Sequence, residues 1–242
     1  MLLNIFRRTP ILKTGFPDIH SHLLAGLDDG SKSLEQSEEM IRLMLDLGYT
    51  GFVTTPHIMS DYYRNNRDTI FPALERLQEH LKTVGLTVRV QAAAEYYLDE
   101  ALMKMIEKPD QLLFLGDRYF LFETNMFSQP LTMNEFIFKL SVESIRPVLA
   151  HPERYEYLHQ DFAKVEELRD RGVLFQINSL SLLGAYGKAA EKLARTLIEK
   201  EWVSFLGSDC HTPLHAKGLA DVARDRHFKK ALDLPLLNRT LV

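Results

Sequence analysis

The chain has a single cysteine, Cys210, in 242 residues. It can form no internal disulfide and cannot build a cysteine-rich zinc module. No apolar run approaches the roughly 18–20 residues that span a bilayer, so no integral membrane segment is expected. Neither sign of charge dominates: 29 Lys and Arg against 33 Asp and Glu leave a net −4. That argues against a strongly cationic nucleic-acid binder, and no nucleic-acid partner is expected. There is no Gly/Ser/Pro-rich linker and no low-complexity tract, so one domain is expected. The N-terminus also lacks the order of a secretory signal. Apolar Met1–Phe6 precedes Arg7 and Arg8, whereas a signal puts its basic residues first. Residues 1–16 are read as an extension, residues 17–242 as the domain, and the cytoplasm as the expected location.

What is present is an alternation. Brief apolar runs rich in Val, Ile, Phe and Tyr occur at Pro17–His20, Gly51–Thr55, Thr87–Ala94, Tyr119–Thr124, Arg146–Ala150, Val173–Asn178 and Val203–Ser208. They read as strands. Amphipathic stretches separate them. Ser33–Leu47 carries Met40, Leu43, Met44 and Leu47 at helical spacing, with Ser33 placed to cap its start and Gly48 its end. Helices are likewise expected over 67–84, 99–107, 133–144, 161–171, 187–201 and 217–232. Seven strand–helix units favour parallel strands with right-handed crossovers, hence an α/β barrel or a doubly wound sheet.

Six of the seven strand runs end on His, Asp or Glu. The ends read Asp18-Ile-His20-Ser-His22, Thr55-Pro-His57, Ala94-Glu95, Phe122-Glu123, Ala150-His151-Pro-Glu-Arg154 and Ser208-Asp209-Cys-His211. In an α/β barrel these ends share one face, where such barrels place active sites. His20 and His22 are two apart, as are Asp209 and His211, so each pair can point one way along an extended chain. Imidazole with carboxylate suits Zn, Mn or Fe without thiolate. The set exceeds what one tetrahedral ion needs, which points to two or three ions sharing a bridging carboxylate. The remaining histidines, His80, His159, His215 and His227, fall in helical or loop stretches and read as surface residues.

In this order the motifs D-x-H-x-H, Asp-Asp-Gly, T-P-H, a Glu after the third strand, H-P-E-R-Y and S-D-x-H resemble the polymerase-and-histidinol-phosphatase superfamily. Residues 18–32, DIHSHLLAGLDDGSK, resemble its bacterial tyrosine-protein phosphatase branch, which works with capsular or exopolysaccharide assembly and its tyrosine autokinases. The resemblance runs from about Pro17 to Lys217. It implies a distorted (β/α)7 barrel with three divalent metal ions. By this resemblance His20, His22, Glu95 and Asp209 hold one ion, and Glu95 bridges to a second completed by Glu123 and His151. Asp29, His57 and His211 hold the third, with Asp28-Asp29-Gly30 otherwise merely a turn. Arg154 matches the arginine of the fifth-strand motif and is the expected catalytic and substrate-binding cation. A second family arginine is missing from the stretch 211–217, HTPLHAK. Lys217 is the expected substitute, with Arg64 or Arg67 also within reach of the mouth.

The resemblance implies hydrolysis of protein phosphotyrosine, with a bacterial tyrosine kinase as partner. A divalent ion lowers the pKa of bound water, so the expected attack on phosphorus is by metal-activated hydroxide. The cysteine-phosphatase route needs C-x5-R, but the sixth residue after Cys210 is Ala216. Two other functions remain open at this point: a histidinol-phosphate or other small phosphomonoester phosphatase, and a non-catalytic metal-stabilised scaffold.

Overall fold

The computed structural model describes Leu12 and residues 15–241. The extension expected over 1–16 lies largely outside them, and its last residue, Phe16, already opens the first strand.

Each expected strand forms. β1 is Phe16–Asp18, β2 Tyr49–Thr54, β3 His57–Ile58, β4 Arg89–Ala92, β5 Glu95–Tyr97, β6 Tyr119–Glu123, β7 Arg146–Ala150, β8 Leu174–Asn178 and β9 Phe205–Gly207. All pairings are parallel, in two arcs ordered β1-β2-β4 and β3-β5-β6-β7-β8-β9. β2 and β3 are one strand position interrupted at Thr55-Pro56, where proline has no N–H for the ladder. β4 and β5 are another, interrupted at Ala93-Ala94. Glu95 N–H donates to Pro56 O across both breaks, keeping the two arcs in one wall. The last strand meets the first through Asp209 N–H to His20 O (2.8 Å) and His22 N–H to Cys210 O (3.0 Å). Seven strand positions thus close a distorted (β/α)7 barrel.

The helices are α1 Leu34–Leu47, α2 Arg67–Thr83, α3 Glu100–Met105, α4 Met133–Val142, α5 Glu156–Gln160, α6 Phe162–Asp170, α7 Lys188–Glu199, α8 Pro213–Val222 and α9 Arg226–Leu232. Ser33 caps α1 through Gln36 N–H, and Gly48 ends it in the left-handed conformation, as the sequence pattern predicts. One expected helix, 217–232, is split in two. Asp161 caps α6, which fills the expected 161–171 stretch, and Asp225 caps α9 by accepting from His227 and Phe228 N–H. An aspartate competes for backbone donors and favours a fresh start over continuation. The expected helix over 217–232 begins earlier, at Pro213, behind a Thr212 cap.

The core has two parts. An outer layer packs the sheet against the helices, with Met40, Met44, Phe52, Leu77, Phe120 and Leu197 among its buried residues. An inner layer fills the barrel: Ile19, Val53, Ala93, Leu121, Val148, Ala150 and Phe205, each from a different stretch of wall except the neighbours on β7. Leu241 packs into its lower end, and Asn238 binds both Leu206 backbone groups and Pro17 O. With the lower half filled by hydrocarbon, the polar strand ends meet above it.

Candidate metal centre

Strand alternation delivers the site. On β6, Tyr119 and Leu121 enter the inner core and Glu123 is next on that face. On β8, Leu174 packs against it, and Gln176 and Asn178 follow. Two residues depart from alternation by a left-handed backbone: His151 at φ 35° after β7 and Asp209 at φ 49° after β9. Such positions cost about 1–3 kcal/mol and persist only where the surroundings hold them. Here they turn a ligand-type side chain into the mouth.

The structure brings together all nine residues expected as ligands. Glu95 is central and fully buried. Its Oε2 lies 3.1 Å from His20 Nε2, 3.2 Å from His57 Nδ1 and 3.6 Å from His22 Nε2, and its Oε1 lies 3.0 Å from His151 Nε2. Asp209 Oδ1 is 3.5 Å from His20 Nε2, 3.3 Å from His22 Nε2 and 3.4 Å from His211 Nδ1. Asp29 Oδ1 is 3.6 Å from His57 Nε2 and 3.4 Å from His211 Nε2. Glu123 Oε1 is 3.0 Å from His57 Nδ1. Three groups present ligand atoms within 4.8 Å of one another: His22, Asp29, His57 and His211; His20, His22 and Glu95; His57, Glu95 and Glu123. His22, His57 and Glu95 each belong to two groups, so sharing is wider than the one bridging carboxylate expected.

The ring orientations fit metal ions. His20 Nδ1–H donates to Gln176 Oε1 (2.7 Å), His22 Nδ1–H to Asp28 Oδ2 (2.7 Å) and His211 Nδ1–H to Asp209 O (2.9 Å). Each bond fixes the proton on Nδ1 and aims Nε2 at the cluster, so Nε2 is the nitrogen that would give up its proton to a metal ion. The Nε2 of His22 and Nδ1 of His57 are buried with no hydrogen-bond partner. Nitrogens orphaned beside carboxylates are an unfavourable arrangement without a cation between them.

Charge tells the same story. Burial opposes ionisation of Glu95, yet His20 and His57 hold its carboxyl well below the usual range, and His20 and His22 do so for Asp209. Burial equally opposes the imidazolium of His20, but Glu95 and Asp209 outweigh it and raise the pKa to about 9. His57 rises to about 10 against its burial through Glu95 and Glu123, and His211 to about 9 through Asp29 and Asp209. Ionised carboxylates here take their countercharge from imidazole protons. Divalent cations supply the same charge by displacing those protons.

Asp28, read from sequence only as part of a turn, is buried and orients the site. Its Oδ2 accepts from His22 and from His57 N–H, and its Oδ1 from Gly30 N–H. Gly30 has to be glycine: a Cβ there would sit 2.3 Å from His22 Cβ. Gln176 and Asn178 were also missed. Their signal is the polar i, i+2 pair closing the one strand without His, Asp or Glu. Asn178 Nδ2–H donates to Asp209 Oδ2 (2.6 Å). Glu153 does not pair with Arg154. It is buried, accepts from Asn178 N–H and Ser181 Oγ–H, and burial raises its pKa to about 7.

A cavity of about 410 Å³ opens above the cluster, lined by Met59, Tyr63, Arg154, Tyr186 and His215 together with Asp29, His57, Glu123, His151, Asp209 and His211. Arg154 Nη1–H donates to Asp209 Oδ2 (3.1 Å), and its guanidinium carbon sits 4.4 Å from the Tyr186 ring centre. Lys217 is elsewhere: it is exposed on α8 and pairs with Glu39 of α1 (3.2 Å). Two residues past His215 along α8, it has rotated off the cavity face. Arg64 bonds Ser60 O and lies along an adjoining groove, and Arg67 stacks on Phe71. None of the four histidines expected at the surface is exposed: His227 is buried, and His80, His159 and His215 are partly buried, the last at the mouth. Cys210 is buried, its thiol donates to Thr212 O, and burial pushes its pKa up. It is no thiolate nucleophile.

The family model described as capsular polysaccharide synthesis, CpsB/CapC, matches residues 16–229. The chain belongs to the CpsB/CapC family. A curated CpsB/CapC relative, the putative tyrosine-protein phosphatase CapC of Staphylococcus aureus, is 28% identical over 229 residues, covering 93% of this chain and 90% of that one. The tyrosine-protein phosphatase CpsB of Streptococcus pneumoniae is 28% identical over 227 residues, covering 90% and 93%. A crystal structure from the work on YwqE of Bacillus subtilis and CpsB of S. pneumoniae, described as unique metal-dependent tyrosine phosphatases, superposes with a TM-score of 0.82 at 26% identity, covering 93% of each chain. The resemblance and the barrel expected from it are borne out. Among the described residues, no helix is long and apolar enough to cross a membrane.

Proposed function

We propose that this chain is a metal-dependent protein-tyrosine phosphatase, a phosphoric monoester hydrolase acting on a bacterial tyrosine kinase of capsule or exopolysaccharide assembly, in the cytoplasm. The observation that carries this reading is the convergence of nine ligand-type side chains, several with tautomers set by neighbours, beneath a cavity that also holds an arginine.

His20, His22, Asp29, His57, Glu95, Glu123, His151, Asp209 and His211 would hold three divalent ions, with Mn, Fe or Zn suited to this donor set. When bound, such ions lower the pKa of water and neutralise phosphoryl charge. The chain's own residues do the rest. Gln176, Asp28 and the Asp209 carbonyl fix the proton of three imidazoles on Nδ1 and aim Nε2 at the cluster. Arg154, anchored by Asp209 and Tyr186, has further guanidinium N–H groups without a partner among the described residues, free to bind phosphoryl oxygens. Hydrolysis forms one P–O bond to water and breaks the bond to the tyrosine oxygen, giving phosphate and the free phenol. A phenol of pKa about 10 leaves more readily than a serine alkoxide.

A polypeptide substrate suits the rim. Tyr62, Phe127, Leu131 and Leu214 are exposed on segments that follow β3, β6 and β9 at the mouth. Exposed apolar groups around an opening favour a chain lying across it over a small polar metabolite.

The test is phosphate release from a phosphotyrosine peptide and from histidinol phosphate, side by side, on metal-stripped protein with Mn restored. Preference for the peptide is expected. Preference for histidinol phosphate would move the protein to small-molecule chemistry. Hydrolysis of neither, with metal bound, would favour the scaffold.

A further inference from the structure

Among the described residues, Arg154 is the one lysine or arginine lining the cavity. A bound phosphoryl group presents three non-bridging oxygens, and the side opposite a single arginine calls for another donor. His215 lines the same cavity as the third residue of α8. Its backbone N–H is capped by Thr212 Oγ1 (3.3 Å), which sets where the ring emerges. The ring stands edge-on to His211, with centroids 5.9 Å apart. His211 backbone N–H donates to His215 Nδ1 (3.3 Å). Nδ1 therefore carries the lone pair and Nε2 the proton. No described residue accepts a hydrogen bond from that Nε2–H, and it is not one of the buried, unpartnered atoms.

We propose that His215 is a substrate-binding residue whose Nε2–H donates to a phosphoryl oxygen in the cavity that Arg154 shares. This rests on the phosphatase reading of the site. The proton stays on Nε2, and no bond to it is made or broken. Lys217, two positions on, is spent on Glu39, so the contact falls to the histidine.

Two isosteres separate this role from structural support of His211. In His215→Asn the amide oxygen overlies Nδ1 and still accepts from His211, but the far donor is gone. In His215→Gln the amide nitrogen reaches the Nε2 position. With Mn-loaded full-length protein, His215→Asn is expected to lower kcat/KM for a phosphotyrosine peptide by about tenfold to a hundredfold, since a donor to a charged group is lost. Its calorimetric affinity for inorganic phosphate should weaken in step, with metal content unchanged. His215→Gln should retain most of both. The proposal is overturned if Asn retains both while Gln loses them, if both variants fall equally, or if neither changes. A wild-type protein inactive on phosphotyrosine would refute the phosphatase reading, and the phosphate affinities would still decide the donor.

Discussion

The barrel interior has two unlike ends. The lower end is hydrocarbon: Ile19, Val53, Leu121, Val148 and Phe205 interdigitate under the Leu241 lid. The upper end, where the same strands run out, gathers five histidines and four carboxylates around a cavity, all of them buried or partly buried except the exposed Asp29. The lower end gains from leaving water. The upper end loses by it, because buried charges are expensive unless compensated. The rigid plug below holds the costly cluster above it, including left-handed His151 and Asp209. Stability and chemistry are thus separated along one axis, and each end should be breakable without the other.

The largest effect is expected at the plug. Phe205→Ala removes a buried ring that meets Tyr119 edge-on at 5.2 Å. It should cost about 3–5 kcal/mol of stability by denaturant titration, with activity per folded molecule little changed. Loss of activity without loss of stability would join the two ends. His22→Ala, at the cluster, should lower phosphatase activity by more than about a hundredfold while circular dichroism reports the fold intact. Retained activity would remove His22 from the metal site. Next comes pH. The raised pKa values of His20, His57 and His211 stabilise the metal-free fold fully below their unfolded value near 6.5, and that contribution is lost as pH rises through about 9 to 10. Metal-free protein should therefore lose stability over that window, and Mn binding near pH 7.5 should release protons, read by calorimetry in two buffers. Flat stability without metal, or binding without proton release, would contradict the charge balance drawn above. Cys210→Ser should change least: about threefold or less in activity, since a hydroxyl replaces a buried thiol outside the ligand set. A collapse with metal retained would overturn the cysteine-free mechanism.

Much of this was legible in advance. The alternation of apolar runs and amphipathic stretches predicted seven units, and all seven stand. His20, His22, His57, Glu95, Glu123, His151, Asp209 and His211 stood out as candidates because such residues recur together at six of seven strand ends, and Asp29 and Arg154 because the family resemblance marked their positions. Asp28, Gln176 and Asn178 were not, because an orienting residue carries no chemistry of its own type; it matters only through what it touches. Lys217 and His215 traded places for a related reason. Loop residues two apart look equivalent in sequence, but on a helix they lie about 200° apart, and one faces the cavity while the other faces α1.

The sequence by itself determined the class of fold and the ligand types, since periodicity and side-chain chemistry are local properties written in residue order. Only the tertiary structure decided which carboxylate orients and which faces the histidine cluster, which nitrogen of each imidazole points into it, and which side chains line the cavity. Those depend on contacts between strands as far apart as His20 and Gln176, 156 residues along the chain. Chain closure sets such contacts, and no local pattern encodes them.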